Sequence, residues 1–163
     1  MTDVLEVLQG TEMTAPEIRG YILAVQEKLL SLPNSIGPND PITPLKHTFV
    51  NGIYTREIFI PKGMLVVGKI HKHAHPNFLM SGDVSVLTEE GAKRLKGPMA
   101  LVSPAGTKRL LYTHEDTVWV TVHANPDNKE DLVELEDEII AKTYADLPEQ
   151  LGQEFIKQLG NER

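Results

Sequence analysis

The chain of 163 residues contains no cysteine. This absence excludes disulfides, thiolate metal sites and cysteine nucleophiles, and it suits a reducing compartment. No apolar run approaches the roughly 18 residues that a membrane-spanning helix needs. The first residues, MTDVLEVLQG, carry no basic segment followed by an apolar one, so we expect no signal peptide. We therefore expect a cytoplasmic protein with no membrane contact.

Positive charge is scarce overall but not in the middle of the chain. The sequence has 16 Lys and Arg against 23 Asp and Glu, a net charge of −7 that disfavours a nucleic-acid partner. Residues 33–125 differ from the acidic ends, because they contain 10 Lys and Arg, 7 Asp and Glu, and all six histidines. Two explanations of this charge distribution remain open. Either it reflects chance together with solvated acidic helices at the ends, or the middle of the chain encloses a pocket suited to a small anion.

Several signatures of catalytic sites are missing. The sequence contains no Gly-x-Ser-x-Gly, no Walker loop, no Gly-x-Gly-x-x-Gly and no His-Glu-x-x-His. These absences disfavour cofactor-dependent hydride transfer and kinase chemistry.

Helical spacing appears at the two ends. Thr14 and Glu17 form a capping box before a helix predicted over Ala15–Leu32, which Pro33 ends. A second helix is predicted over Asp127–Tyr144, with Asp127 or Asn128 as its cap, and a shorter one over Pro148–Leu159. We predict an N-terminal helix and proline-rich arm over 1–45, a β-barrel over 46–125, and an acidic helical segment over 126–163.

Short β-rich runs alternate with Gly- and Pro-containing turns between the helical ends. Such regular spacing predicts an antiparallel barrel or sandwich. The predicted strands are Gly52–Ile60, Met64–Lys72, Asn77–Met80, Val84–Thr88, Ala100–Ser103, Lys108–Tyr112 and Thr117–His123.

A histidine cluster follows the second predicted strand. Because alternate residues on a strand share a face, Lys69, His71 and His73 should point together into a barrel. Imidazoles at this spacing can jointly hold a divalent metal ion.

The cluster resembles the first motif of the cupin superfamily, which is Gly, five residues, His, one residue, His, three or four residues, Glu, six residues, Gly. Those places are taken here by Gly63, Lys69, His71, His75 and Gly82. The second motif centres on a Pro-x-Gly turn with a histidine three residues later. Here the turn is Pro104-Ala-Gly106, and Arg109 stands in place of that histidine.

The resemblance implies a mainly β fold, an RmlC-like jelly-roll barrel of the cupin type with an N-terminal helix and one or two C-terminal helices. It also implies a homodimer. The strings at 53–57, 68–71, 81–89 and 116–123 are similar to small cupin-like proteins of tailed bacteriophages and prophages, a family of unknown function. That likeness implies a phage-encoded protein in the host cytoplasm, and no particular activity.

A metal centre is one interpretation of the motif positions. Cupins that hold a metal use three imidazoles and a carboxylate, so His71, His75 and His73 are candidate ligands for Zn, Fe, Mn or Ni. His114 or His123 would complete a different triad. As cations, Lys69 and Arg109 would repel a metal.

An anion site is the other interpretation. Lys69, His71 and Arg109 facing one cavity would offer several donors and positive charges, and the arginine fork suits carboxylate or phosphate. A shift of one residue in strand register would instead turn Lys69 and Arg109 to solvent. The other candidate ligand-binding residues are His75, Asn77, Tyr54 and Trp119.

Two strands carry further candidates. Glu57 is, with His71, a candidate catalytic group, or else half of a cross-strand salt bridge. In the last predicted strand we expect the valines to face the core. The face of Trp119, Thr121 and His123 would then line a dimer interface or a pocket.

Three functions remain open from the sequence. The first is a cupin-like protein that binds a small anionic molecule, a metabolite or a nucleotide-like compound, in its barrel. The second is a metal-dependent cupin enzyme of the isomerase, lyase or dioxygenase type. The third is a structural or interaction protein with a vestigial pocket.

Overall fold

The computed structural model describes residues 3–147. This part of the chain contains three α-helices, eleven strands and a short 3₁₀ helix at Tyr144–Asp146. The α-helices are α1 (Val4–Gln9), α2 (Ala15–Leu30) and α3 (Leu132–Ile139). The strands are β1 (Leu45–Val50), β2 (Ile53–Ile60), β3 (Leu65–Val67), β4 (Ile70–His71), β5 (His75–Ser81), β6 (Asp83–Thr88), β7 (Gly91–Lys96), β8 (Met99–Ser103), β9 (Leu110–Thr113), β10 (Thr117–Ala124) and β11 (Ile140–Ala141).

The strands form two facing antiparallel sheets with jelly-roll order. One sheet has the order β1-β2-β10-β5-β8 and the other β3-β9-β6-β7, while β4 pairs with β11 outside them. Only the hairpins β1–β2 and β6–β7 join neighbours in sequence within these two sheets, and the long-range pair β2–β10 closes a Greek-key path. The predicted mainly β, cupin-type jelly roll with flanking helices is confirmed.

Apolar side chains from both sheets fill the space between them, which we call the barrel interior. Trp119 is 3% exposed and packs among residues of both sheets, so the interior is a shared core. The buried members of this cluster are Ile60, Leu79, Val84, Val86, Leu111 and Trp119.

The N-terminal helices cover the outer face of the four-stranded sheet. Helix α2 begins at the predicted capping box, where the Thr14 backbone N–H donates to the Glu17 carboxylate over 2.7 Å. Its buried residues Ile18, Ile22 and Val25 pack with Leu87 and Leu110 of the sheet. Strand β6 is therefore buried on both faces.

Two turns require glycine at cupin-like motif positions. Gly82 has φ +123°, and a Cβ there would collide with Thr117. Gly106, in the Pro-x-Gly turn, has φ +84°, which L side chains rarely adopt. The motif glycines thus shape the connections on either side of the site.

Three strand predictions were wrong in detail. Strands β1 and β7 were not predicted, since β7 has the charged sequence GAKRLK and both are edge strands. The predicted strand Met64–Lys72 is two strands, because the Gly68 N–H bonds the Arg109 carbonyl and β4 then leaves the sheet to pair with β11.

The faces of β10 are the reverse of our expectation. Trp119, Thr121 and His123 are buried, whereas the valines between them lie on the outer face of the five-stranded sheet and are partly exposed. Both faces carry apolar groups, so alternation alone did not show which one points inward.

The C-terminal helix is shorter than predicted. Asp131, not Asp127 or Asn128, caps α3 by accepting from the Val133 and Glu134 backbone N–H groups. Asn128 instead accepts from the Gly52 N–H over 2.7 Å. The helix predicted over Pro148–Leu159 lies outside the described residues. No helix within 3–147 has the length and apolarity to cross a membrane.

We predict that Ile22→Ala lowers the free energy of unfolding by about 2–5 kcal/mol, because it opens a cavity between α2 and the sheet. Leu30→Ala is the matched control, since Leu30 is 69% exposed on the same helix, and it should cost about 0.5 kcal/mol or less. Urea unfolding measures both. Equal effects would show that α2 does not pack on the sheet.

Candidate functional site

Polar side chains collect in the barrel interior where the motif residues lie. The pairing register places Arg56 opposite Thr121, and Thr121 opposite Asn77, so one row of inward side chains crosses three strands. Tyr54 and His123 face each other in the next row. The residues of this site are Tyr54, Arg56, His71, His75, Asn77, Ser103, Arg109, Trp119, Thr121 and His123.

Three imidazoles pack against one another. The ring centroids of His71 and His75 lie 4.4 Å apart, those of His75 and His123 4.8 Å, and those of His71 and His123 5.6 Å. Burial, followed by the repulsion of neighbouring imidazoles and arginines, lowers the pKa of His71 to about 2 and that of His123 to about 4. Burial also lowers the pKa of His75. The cluster is therefore neutral at physiological pH.

His75 offers an unused acceptor to the interior. Its Nδ1 donates to the His73 carbonyl oxygen over 3.0 Å, which assigns the proton to Nδ1. The Nε2 atom is then a hydrogen-bond acceptor. It is buried and has no hydrogen-bond partner among residues 3–147. A ligand with an O–H or N–H group would satisfy it.

Arg109 points inward and is held by neutral groups. Its Nη2 donates to Asn77 Oδ1 over 2.9 Å and to the hydroxyl of Ser103, and its guanidinium lies 5.0 Å from the Trp119 ring centroid. Burial lowers the pKa of Arg109 to about 10, so the group stays protonated at neutral pH.

Asn77 is the centre of this network and is fully buried. Its Oδ1 also accepts from the Trp119 indole N–H over 3.0 Å, while its Nδ2 donates to Ser103 Oγ over 2.8 Å. Because arginine and tryptophan side chains only donate, the orientation of the amide is determined.

Arg56 is the second inward arginine. It lies on β2 between Thr121 of β10 and His47 of β1, and burial lowers its pKa. Among residues 3–147, neither Arg56 nor Arg109 has a carboxylate within ion-pair distance. Two positive charges in the interior are therefore not balanced by acidic groups of this part of the chain.

Tyr54 joins the site to its cover. Its ring stacks on His123 at 5.9 Å and on Phe49 at 5.3 Å, and its hydroxyl lies 2.7 Å from His47 Nδ1. Leu135 and Ile139 of α3 pack against it. Helix α3 thus covers the aromatic side of the histidine cluster.

Three predicted site residues lie elsewhere. Lys69 is half-exposed and forms an ion pair with Glu136 of α3, since the break at Gly68 ends the strand alternation. His73 is exposed, with Nε2 3.2 Å from the Glu138 carbonyl oxygen. Glu57 lies on the outer face of β2, opposite Lys46 on β1, and so takes no part in the interior site.

The structure brings together the other predicted residues, which are His71, His75, Asn77, Arg109, Tyr54 and Trp119. The sequence analysis did not single out Arg56 or Ser103 as members of the site. It considered His123 both as a substitute metal ligand and as part of a face that lines a dimer interface or a pocket. The signal for Arg56 was present, because Arg56 is two residues from Tyr54 on one strand and so shares its face.

The arrangement does not fit the divalent metal that a cupin-type fold implies. Among residues 3–147, no group of three or more His, Asp or Glu side chains is placed to hold a metal ion. The charged groups that act on the three imidazoles are arginines and other histidines, with no carboxylate among those described. The predicted set of His71, His75 and His73 is not assembled, because His73 points away.

Comparison with known proteins gives likenesses of structure only. No protein-family model and no curated protein matches the chain. KdgF from Halomonas sp. is 16% identical with a TM-score of 0.46, over 55% of this chain and 85% of that one. Ectoine synthase from P. lautus is 14% identical with a TM-score of 0.49, over 69% of this chain and 81% of that one. An RmlC-like cupin family protein with a double-stranded β-helix fold from Methanocaldococcus jannaschii is 12% identical, with a TM-score of 0.45 and coverages of 56% and 89%. At these identities no activity is carried over from them.

We predict that His123 makes the protein less stable as the pH falls. Its folded pKa of about 4 lies below the unfolded value, so between about pH 6.5 and pH 4 the unfolded chain binds the proton first. His123→Asn should therefore reduce the slope of unfolding free energy against pH by about 1.2 kcal/mol per unit between pH 6 and pH 5.

Urea unfolding at pH 7, 6 and 5 measures this slope. Val122→Ala is the control, since Val122 lies on the outer face of the same strand and carries no titratable group, so it should leave the slope as in the wild type. An unchanged slope in His123→Asn would show that His123 titrates as freely in the folded protein as in the unfolded chain.

Proposed function

We propose that the protein binds a small anionic metabolite in the barrel interior, with Arg56 and Arg109 supplying the charge. The observation that carries this proposal is the pair of inward guanidinium groups without a carboxylate partner among residues 3–147. Buried charges are stable only when they are paired and hydrogen-bonded, and neutral partners give Arg109 hydrogen bonds but no countercharge. An anion from outside would supply it.

The histidine cluster defines the other end of the ligand. Neutral imidazoles do not repel a neutral polar group, and the buried Nε2 of His75 accepts a hydrogen bond. A molecule that combines a carboxylate or phosphate with a hydroxyl group would satisfy both Arg109 and His75. Small sugar acids, hydroxy acids and nucleotide-like compounds share this chemistry.

Ligand binding alone, without a catalytic step, is enough to explain the hydrogen-bond donors that the described residues supply. Of the alternatives from the sequence, a metal-dependent enzyme would use the three packed imidazoles, although no group of three among residues 3–147 is placed to hold a metal ion. A structural protein with a vestigial pocket has no support from the described site. The homodimer and the phage-encoded origin in a host cytoplasm stay predictions.

We predict that inorganic phosphate and malonate raise the melting temperature of the wild type and bind measurably by calorimetry. Arg109→Gln and Arg56→Gln should each weaken binding about 10- to 100-fold, because each removes a charge-assisted hydrogen bond to the anion. Far-UV circular dichroism checks that both variants remain folded.

Two controls separate the site from general surface charge. Arg94 forms an exposed ion pair with Asp83, and Lys69 pairs with Glu136, so Arg94→Gln and Lys69→Gln should bind within about twofold of the wild type. Equal losses in all four variants would refute an interior site. Native mass spectrometry that showed one divalent ion per chain, lost in His71→Ala, would support the metal-dependent enzyme instead.

A further inference from the structure

A second feature of the interior is an apolar cavity beside Arg109. The cavity has a volume of about 340 Å³ and lies where strand β7, at the edge of one sheet, approaches β8, at the edge of the other. Its walls include Val86, Leu95, Met99 and Leu101, and its exposed lining is mostly apolar. Arg109 and Ser103, which belong to the Asn77 network, line the same cavity.

The charges around this cavity are paired, with one exception. Glu89 is bound by Arg19, and Glu90 by Lys93 at 3.0 Å. Arg109 is the one charged group of the cavity lining that has no oppositely charged partner among residues 3–147. A molecule in the cavity therefore meets apolar walls and a single unbalanced positive charge.

We infer that the cavity holds the apolar body of the ligand, so that the natural ligand is an amphipathic anion whose acidic head lies at Arg109. This inference rests on the proposed function and specifies its ligand. At about 30 Å³ for a water-sized group, the cavity has room for about eleven such groups. A volume above about 300 Å³ lies within the range of small-molecule sites.

The ligand needs a charged part and an apolar part, because the site has one region for each. The head binds through the guanidinium and the Ser103 hydroxyl, and the body lies between Leu95 and Leu101. A purely polar anion would leave these apolar walls in contact with water. An amphipathic anion would bury them and gain free energy with each methylene group.

The test is a series of straight-chain carboxylates, namely acetate, butanoate, hexanoate and octanoate, with hexanol as the uncharged comparison. Calorimetry on the wild type should show affinity rising about fourfold for each added methylene group until the cavity is full. Hexanol should bind at least tenfold more weakly than hexanoate.

Neighbouring residues on β8 provide matched variants. Leu101 lines the cavity, whereas Ala100 is exposed on the opposite face of the same strand. Leu101→Trp should abolish the dependence on chain length while malonate still binds, and Ala100→Trp should leave the series unchanged. The wild-type series alone also decides the question, so the test does not depend on whether Leu101→Trp folds.

The failure of this inference is distinct from the failure of the proposed function. Malonate and acetate binding with no gain from longer chains would overturn the apolar subsite and leave an anion site. Hexanol that binds as well as hexanoate would show that Arg109 does not hold the head. No binding of any anion would overturn both.

Discussion

A buried guanidinium held by neutral groups is the constraint on which the barrel interior depends. Arg109 cannot lose its proton at neutral pH, so the surrounding chain must supply hydrogen-bond acceptors that are themselves fixed. Asn77 does this by accepting from both Arg109 and Trp119. Since Trp119 lies on β10, Asn77 on β5 and Ser103 on β8, one network joins three adjacent strands of a sheet to the start of β9 in the other.

The electrostatics of the histidine cluster follow from the same constraint. His71 and His123 are neutral because they are buried and because their neighbours are arginines and imidazoles. A third cation beside Arg109 and Arg56 would add repulsion at low dielectric. The interior therefore concentrates its positive charge on two guanidinium groups and leaves the imidazoles as neutral hydrogen-bonding groups.

The sequence predicted the framework better than it predicted which side chains point inward. Local signals predicted the jelly roll, α2 and most strands. These signals were the motif glycines, the capping box and the β-rich runs. The orientation of Lys69 depended on whether the chain stays in one strand past Gly68, and that is decided by the distant pairing of β4 with β11. The valine face of β10 was misassigned for a related reason, since burial is set by which sheet lies opposite. Arg56 was not singled out because its spacing from Tyr54 places both residues on one face of β2 but does not show which face of the strand points inward.

Arg109, at one of the motif positions that the cupin resemblance assigns to a metal ligand, carries a fixed positive charge, and this charge is one basis of the proposed anion site. Arg109 at the position of a metal-binding histidine supplies a fixed positive charge where a metal ion would supply one. Arg109 also lines the cavity between β7 and β8. A head group bound by Arg109 would then have apolar surface next to it on one side and the His75 acceptor on the other. That juxtaposition is the reason why we propose an amphipathic anion as the ligand of this interior.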